Sequence, residues 1–216
     1  MSFAPGDLIL LLPVILFALS FHEMGHAWTA NRFGDSTAKD LGRVTLDPRK
    51  HLDPIGTIMV FVAGFGWAKP VPIDPSRLKN PLRDGLWIAA AGPTANLLTA
   101  IASGLLLQAL VRTGVLEHLP GTAGEAVLRL CIFSVHVNLA LMAFNLIPIH
   151  PLDGAAVLKG LVTPAGAAQL ARLDQVGPFL LLGLIVLGRA TGQSVIGRFL
   201  DPVVETLSQW VSGGLL

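Results

Sequence analysis

From Leu8 to Asn31 the chain carries no lysine or arginine, and the stretch exceeds the roughly 20 residues a helix needs to cross the hydrocarbon of a bilayer. Such a segment forms either a lipid-spanning helix or the buried core of a large soluble protein, and composition decides between the two. The 216 residues are 52% hydrophobic and 13% charged, whereas a soluble domain carries about 25% charged residues. The chain therefore reads as an integral membrane protein. Three more apolar runs repeat the signal: Leu86 to Val111, Val127 to Ile147 and, diluted by Gly188, Arg189 and Gly192, Val176 to about Ile196. They predict an all-α polytopic bundle of about four to five spans in one domain, residues 1–216. The N-terminus lacks the basic region and small-residue cleavage site of a signal peptide, so the first span is expected to be retained. A net charge of +1 argues against a nucleic-acid partner. Cys131 is the only cysteine, which rules out an internal disulfide and reads as a small buried hydrophobe.

One apolar stretch breaks the pattern. Ile55 to Trp67 is too short to cross comfortably and is interrupted by Gly56, Gly64 and Gly66. Arg32, Lys39, Arg43, Arg49 and Lys50 precede it, and Lys69, Arg77, Lys79 and Arg83 follow it. Because short cytoplasmic loops collect Lys and Arg, both flanks are expected on the cytoplasmic side. The segment, about residues 55–72, should then dip in and return as a re-entrant element with a small β-like part, leaving the N-terminus outside. Irregular backbone at membrane depth survives only against protein or a water-filled cavity, so water is expected nearby. At the other end, alternating apolar and polar residues from Asp201 to Trp210 predict a C-terminal helix, about 201–212, either interfacial or packed on the bundle.

Chemistry enters with FALSFHEMGHAWTA, residues 17–30. On a helix, residues four apart share a face, so His22 and His26 can bind one metal ion with Glu23 beside them. This is the H-E-x-x-H arrangement of zinc peptidases, two imidazole ligands and a carboxylate able to take a proton from attacking water. Satisfied core histidines are the plain alternative, but ionisable groups inside a membrane helix are expensive and point to function. Catalytic zinc typically takes three protein ligands, and the best third is Asp153 in FNLIPIHPLDG, residues 144–154. Pro148 and Pro151 open the helix there and can let Asp153 face inward; a helix N-cap for the segment that follows explains it equally. His150 and His136 are the possible substitute ligands.

Asn145, close to the proline break, can donate to a developing oxyanion or make an interhelical hydrogen bond. Were such a site to hydrolyse a peptide bond inside a bilayer, a transmembrane substrate would have to be unwound first, and an exposed strand edge would pair with its freed backbone. Gly64 to Pro72, containing Gly66 and Trp67, is the candidate edge; a connecting loop anchored by Trp67 fits as well. In GPTAN, residues 92–96, Gly92 and Ala95 would let helices approach, and Asn96 can bond the re-entrant backbone. Gly66, Trp67 and Asn96 are thus the expected substrate-side residues. His22 lies about fourteen residues into its span, roughly 20 Å from the outer end at 1.5 Å per residue, which places cleavage nearer the cytoplasmic side.

HEMGH and NLIPIHPLDG, in that order and each in its own span, resemble the motifs of the site-2 protease family of intramembrane zinc metalloproteases. LGRVTLDPRKHLDPIGT, GWAKPVP and GPTAN resemble further segments of bacterial and archaeal members, so the likeness covers roughly residues 8–160. The resemblance implies one Zn2+ per chain held by His22, His26 and Asp153, with Glu23 as general base and Asn145 holding substrate or tetrahedral intermediate. It implies hydrolysis of peptide bonds within or near the transmembrane segments of single-span membrane proteins. Ala155 stands where many members have a second glycine, and His150 occupies a variable position. With no PDZ or CBS module, the chain is expected to be a minimal member. The rival reading is a non-catalytic zinc-binding scaffold or transporter. A transporter would line a path with polar residues, and an inactive scaffold would be expected to have lost Glu23.

Overall fold

The computed structural model describes residues 6–63 and 66–216, with residues 60–63 described by their backbone alone. Among these the chain forms α1 (Asp7–Arg32), α2 (Thr37–Asp40), α3 (Pro54–Ala63), α4 (Pro81–Thr113), α5 (Ala123–Asn145), α6 (Asp153–Leu161), α7 (Pro164–Ala171), α8 (Gly177–Thr191) and α9 (Val195–Ser212). The boundaries follow local chemistry. Asn80 caps α4 by accepting from the Arg83 N–H, Pro81 occupies the first helical position, and Gly114 ends the helix at φ 66°. Asp7 in the first turn of α1 and Arg32 in its last turn each sit at the end their charge favours.

α1, α4 and α5 are each long and apolar enough to span a membrane, and the pair α8 and α9, bent by 92°, makes a fourth if counted as one span. The polytopic all-α bundle expected from the sequence is what forms. The last span differs in detail from the expected single helix ending near Ile196. α8 has 15 residues, about 22 Å, and stops at Gly192, φ 66°. Ser194 then caps a new helix, its Oγ accepting from the Gly197 N–H at 2.8 Å.

α9 lies against α4 and α5, where Leu200, Val204, Leu207 and Val211 cover the fully buried Ala100, Val135 and Leu139. Gly104 permits the contact, since a Cβ there would stand 2.4 Å from the Val211 carbonyl oxygen. Of the two settings expected for the C-terminal helix, packing on the bundle is the one observed, and the helix begins at Val195 rather than Asp201.

α3 has 10 residues, about 15 Å, too short to cross. Its flanks meet: Leu52 pairs with Ala68 in an isolated antiparallel bridge, and the Lys69 N–H donates to the His51 carbonyl at 2.7 Å. A Cβ on Gly56 would stand 2.2 Å from the Trp67 carbonyl oxygen, so glycine is what lets the returning chain lie against the helix start. The β-like part is this one bridge among the described residues. Gly64 and Phe65 of the expected re-entrant segment, and the terminus read as lying outside, fall outside the described residues.

Arg43 locks the returning chain in place. Its guanidinium is buried and donates to the carbonyls of Pro70 (3.0 Å) and Lys69 (2.6 Å). Burial lowers its pKa, while the negative charge of Glu23 acts in the opposite direction, which links this loop electrostatically to the HEMGH helix. His51, also buried, donates through Nε2 to the Thr45 carbonyl at 2.8 Å.

Candidate active site

His22 and His26 project from one face of α1 toward α4, and both are buried. Their Nε2 atoms stand 3.0 Å apart. Asp153, the first residue of α6, brings Oδ2 to 3.2 Å from His22 Nε2 and Oδ1 to 3.4 Å from His26 Nε2. It does not cap its helix, because no side-chain cap bond forms at the start of α6. Of the two sequence readings of Asp153, the structure supports the one that faces the histidines. His150 and His136 stay out of the cluster; His136 donates to the Ile132 carbonyl of its own helix at 2.9 Å.

The hydrogen-bond network determines which imidazole nitrogens carry protons. His26 Nδ1 lies 2.7 Å from the Ile88 carbonyl oxygen, which can only accept, so Nδ1 is the protonated nitrogen. His22 Nδ1 lies 2.6 Å from Asn96 Oδ1. The orientation of that amide is settled by Asn96 Nδ2 donating to the Ala18 carbonyl (3.2 Å) and to Asn138 Oδ1 (2.9 Å). Asn138 is oriented in turn by donating to the Ser134 carbonyl at 2.9 Å. With both Nδ1 hydrogens committed to those acceptors, the Nε2 atoms are the ones that face each other and the Asp153 carboxylate, and once deprotonated they turn their lone pairs to a common point where a cation can be held.

A metal ion fits the residues present. His22, His26 and Asp153 each offer a ligand atom, all within 4.8 Å of one another. Asp153 Oδ2 is buried without a hydrogen-bond partner. Gly92 leaves open the space beside the nitrogens, where a Cβ would meet His26 Nε2 at 2.4 Å and His22 Nε2 at 2.6 Å. Two imidazoles and one carboxylate with an open side match a catalytic zinc site. Gly92 was expected to ease helix approach, and here its missing side chain makes room for the two imidazole rings.

The remaining sequence candidates are dispersed. Glu23 is half-buried and makes no hydrogen bond among the described residues. Asn145, at the end of α5, donates to the Leu141 carbonyl of its own helix at 3.0 Å rather than to a neighbouring helix. Trp67 and Gly66 lie in the chain that returns after α3, with Trp67 exposed. Asn96 corrects the sequence reading: it is fully buried, so it stands behind His22 rather than on a substrate-facing surface. Asn138 belongs to none of the motifs in the sequence, although an asparagine deep in an apolar span is itself a signal of a polar contact. Outer partners of a metal-bound histidine typically contribute 10–100-fold in affinity. Asn96→Ala is therefore expected to weaken zinc binding about 10–100-fold, measured by competition with a chelator; wild-type affinity would leave the amide a packing role only.

The profile of peptidase family M50 matches residues 10–128. The chain belongs to family M50, the site-2 proteases. Curated relatives agree. YwhC of Bacillus subtilis is 39% identical over 172 residues, covering 80% of this chain and 78% of that one. Rip2 of Mycobacterium tuberculosis is 33% identical over 213 residues, covering 96% of this chain and 72% of that one. Both are named as zinc metalloproteases. No solved structure matches the chain significantly. As an M50 peptidase with helices that span a bilayer, the chain is an intramembrane zinc metalloprotease, and its cofactor is Zn2+.

Proposed function

We propose that His22, His26 and Asp153 hold the zinc, that Glu23 is the general base, and that the site cleaves single-span membrane proteins near the cytoplasmic face. The observation that carries this reading is the carboxylate of Asp153 set against two imidazole nitrogens that are 3.0 Å apart. Bound zinc would supply Lewis-acid polarisation of the scissile carbonyl and lower the pKa of water toward about 7. Glu23, unengaged by hydrogen bonds, is free to take a proton from the attacking water and deliver it to the leaving amine. Asn145 has one amide hydrogen on the Leu141 carbonyl and a second to offer the oxyanion.

We assign substrate handling to the extended segment that follows α3. The Arg43 and His51 contacts occupy its Lys69 and Pro70 side. Ala68 makes no backbone hydrogen bond among the described residues, so its N–H and C=O are open for an unwound substrate to pair with. Gly66 and Trp67 flank that edge.

Elemental analysis of purified wild type beside Asp153→Ala tests the ligand set. About one zinc per chain, lost in the variant, is expected; retention by a folded variant would remove Asp153 from the site. Orientation has its own test. In a Cys131→Ala background, Lys50→Cys and Arg77→Cys, both at exposed positions, are expected to label with an impermeant thiol reagent from the cytoplasmic side only. Labelling from opposite sides would make the segment between them a true span.

A further inference from the structure

On the side of α1 and α4 turned away from the zinc ligands runs an apolar slot of about 560 Å³, within the range of ligand pockets. Phe21, Met24 and Trp28 line it from α1, and Trp87, Ala91 and Leu98 from α4. Its floor is a close helix contact, for a Cβ on Gly25 would stand 3.0 Å from the Ala91 carbonyl oxygen. Phe33 and Trp87 form a wall shared with a second hollow at the end of the helix pair, lined by Arg32, Lys79 and Arg83. These three side chains are exposed and make no ion pair or hydrogen bond among the described residues. The acid in the same hollow, Asp84, is buried and turned to the Asn80 N–H at 2.9 Å, so one negative charge stands against three positive ones and the hollow stays net cationic. Trp28 and Trp87 are 56% and 53% exposed at the junction of slot and cations, the depth at which aromatic residues mark the headgroup layer.

We propose that this slot binds one anionic phospholipid, with an acyl chain between α1 and α4 and the phosphate held by Arg32, Lys79 and Arg83. The charge decides the occupant. A soluble anion would need the cations but not the slot, an apolar helix would need the slot but not three unpaired cations, and a zwitterionic headgroup brings a positive charge they repel. Basic pockets between membrane helices select anionic headgroups on these grounds. The site is independent of the catalytic reading, because none of its residues is assigned to the peptidase chemistry.

Tryptophan quenching tests it in zinc-loaded full chain reconstituted in phosphatidylcholine vesicles. Brominated-chain phosphatidylglycerol and brominated-chain phosphatidylcholine are compared at equal mole fraction. Phosphatidylglycerol is expected to quench more strongly and to saturate. The variant R32Q/K79Q/R83Q is expected to lower that preference at least tenfold, since each basic residue contributes about fivefold. W28F/W87F should abolish the excess. Zinc content, unchanged in all variants, reports folding and separates this result from any failure of the peptidase assignment. Equal quenching by the two lipids would overturn the proposal, as would an excess that survives the triple variant. Shielding of both tryptophans from either lipid in a dimer would assign the slot to a second copy and overturn it as well.

Discussion

Glu23→Gln should lower cleavage of a single-span membrane substrate by about 10²–10⁴ while leaving zinc bound, the loss typical when a positioned general base is removed. The two outcomes separate because of where Glu23 sits. His22 and His26 occupy one face of α1 and close on Asp153, whereas the intervening Glu23 is rotated off that cluster. It makes no hydrogen bond among the described residues, so an amide of the same shape strands no donor, and Arg43, which loses the Glu23 charge, keeps its acceptors on Lys69 and Pro70. Glutamine can still accept a hydrogen bond but cannot take the proton. Cleavage in proteoliposomes, read alongside elemental analysis of the same preparation, distinguishes three results. Zinc retained with activity lost is the expected one. Full activity would place the base elsewhere, and loss of zinc would make Glu23 part of the ligand shell.

What the sequence could reveal about this site depends on how far apart the cooperating residues lie. His22, Glu23 and His26 were readable because helix geometry alone puts i and i+4 on one face. Asp153 was ambiguous because the start of a helix suits both a cap and an inward-facing carboxylate. Only the packing of α6 on α4, which brings its first residue to the α1 histidines, distinguishes them. Asn96 was assigned to the wrong neighbour for a similar reason. Nothing in GPTAN states the register of α4 against α1, and that register puts its amide on His22. The spans themselves were legible from their apolar length. The break between α8 and α9 was signalled locally by Gly192 and Ser194, but those signals sat inside a run whose hydropathy masked them.

Gly92→Ala tests that register with a single methyl group. Its Cβ would lie 2.4 Å from His26 Nε2 and 2.6 Å from both His22 Cε1 and His22 Nε2, inside the 3.0 Å that real Cβ atoms essentially never breach. The rings cannot swing aside freely, because His22 is tied through Nδ1 to Asn96 and His26 to the Ile88 carbonyl. Relief therefore demands either breaking those bonds or pushing α1 from α4, and both spoil the alignment of the two Nε2 atoms with Asp153. Zinc affinity is expected to fall by more than the 10–100-fold of an outer-partner substitution, since the ligands themselves are displaced. Gly85→Ala on the same helix is the control. A Cβ there meets nothing within 4 Å, and alanine favours a helix over glycine by about 1 kcal/mol, so this variant should keep zinc and be at least as stable. Chelator competition on the pair decides the point. Equal affinity in both would mean that the ligand nitrogens do not face Gly92, whereas loss in Gly92→Ala alone ties the glycine of GPTAN to the room the metal site requires.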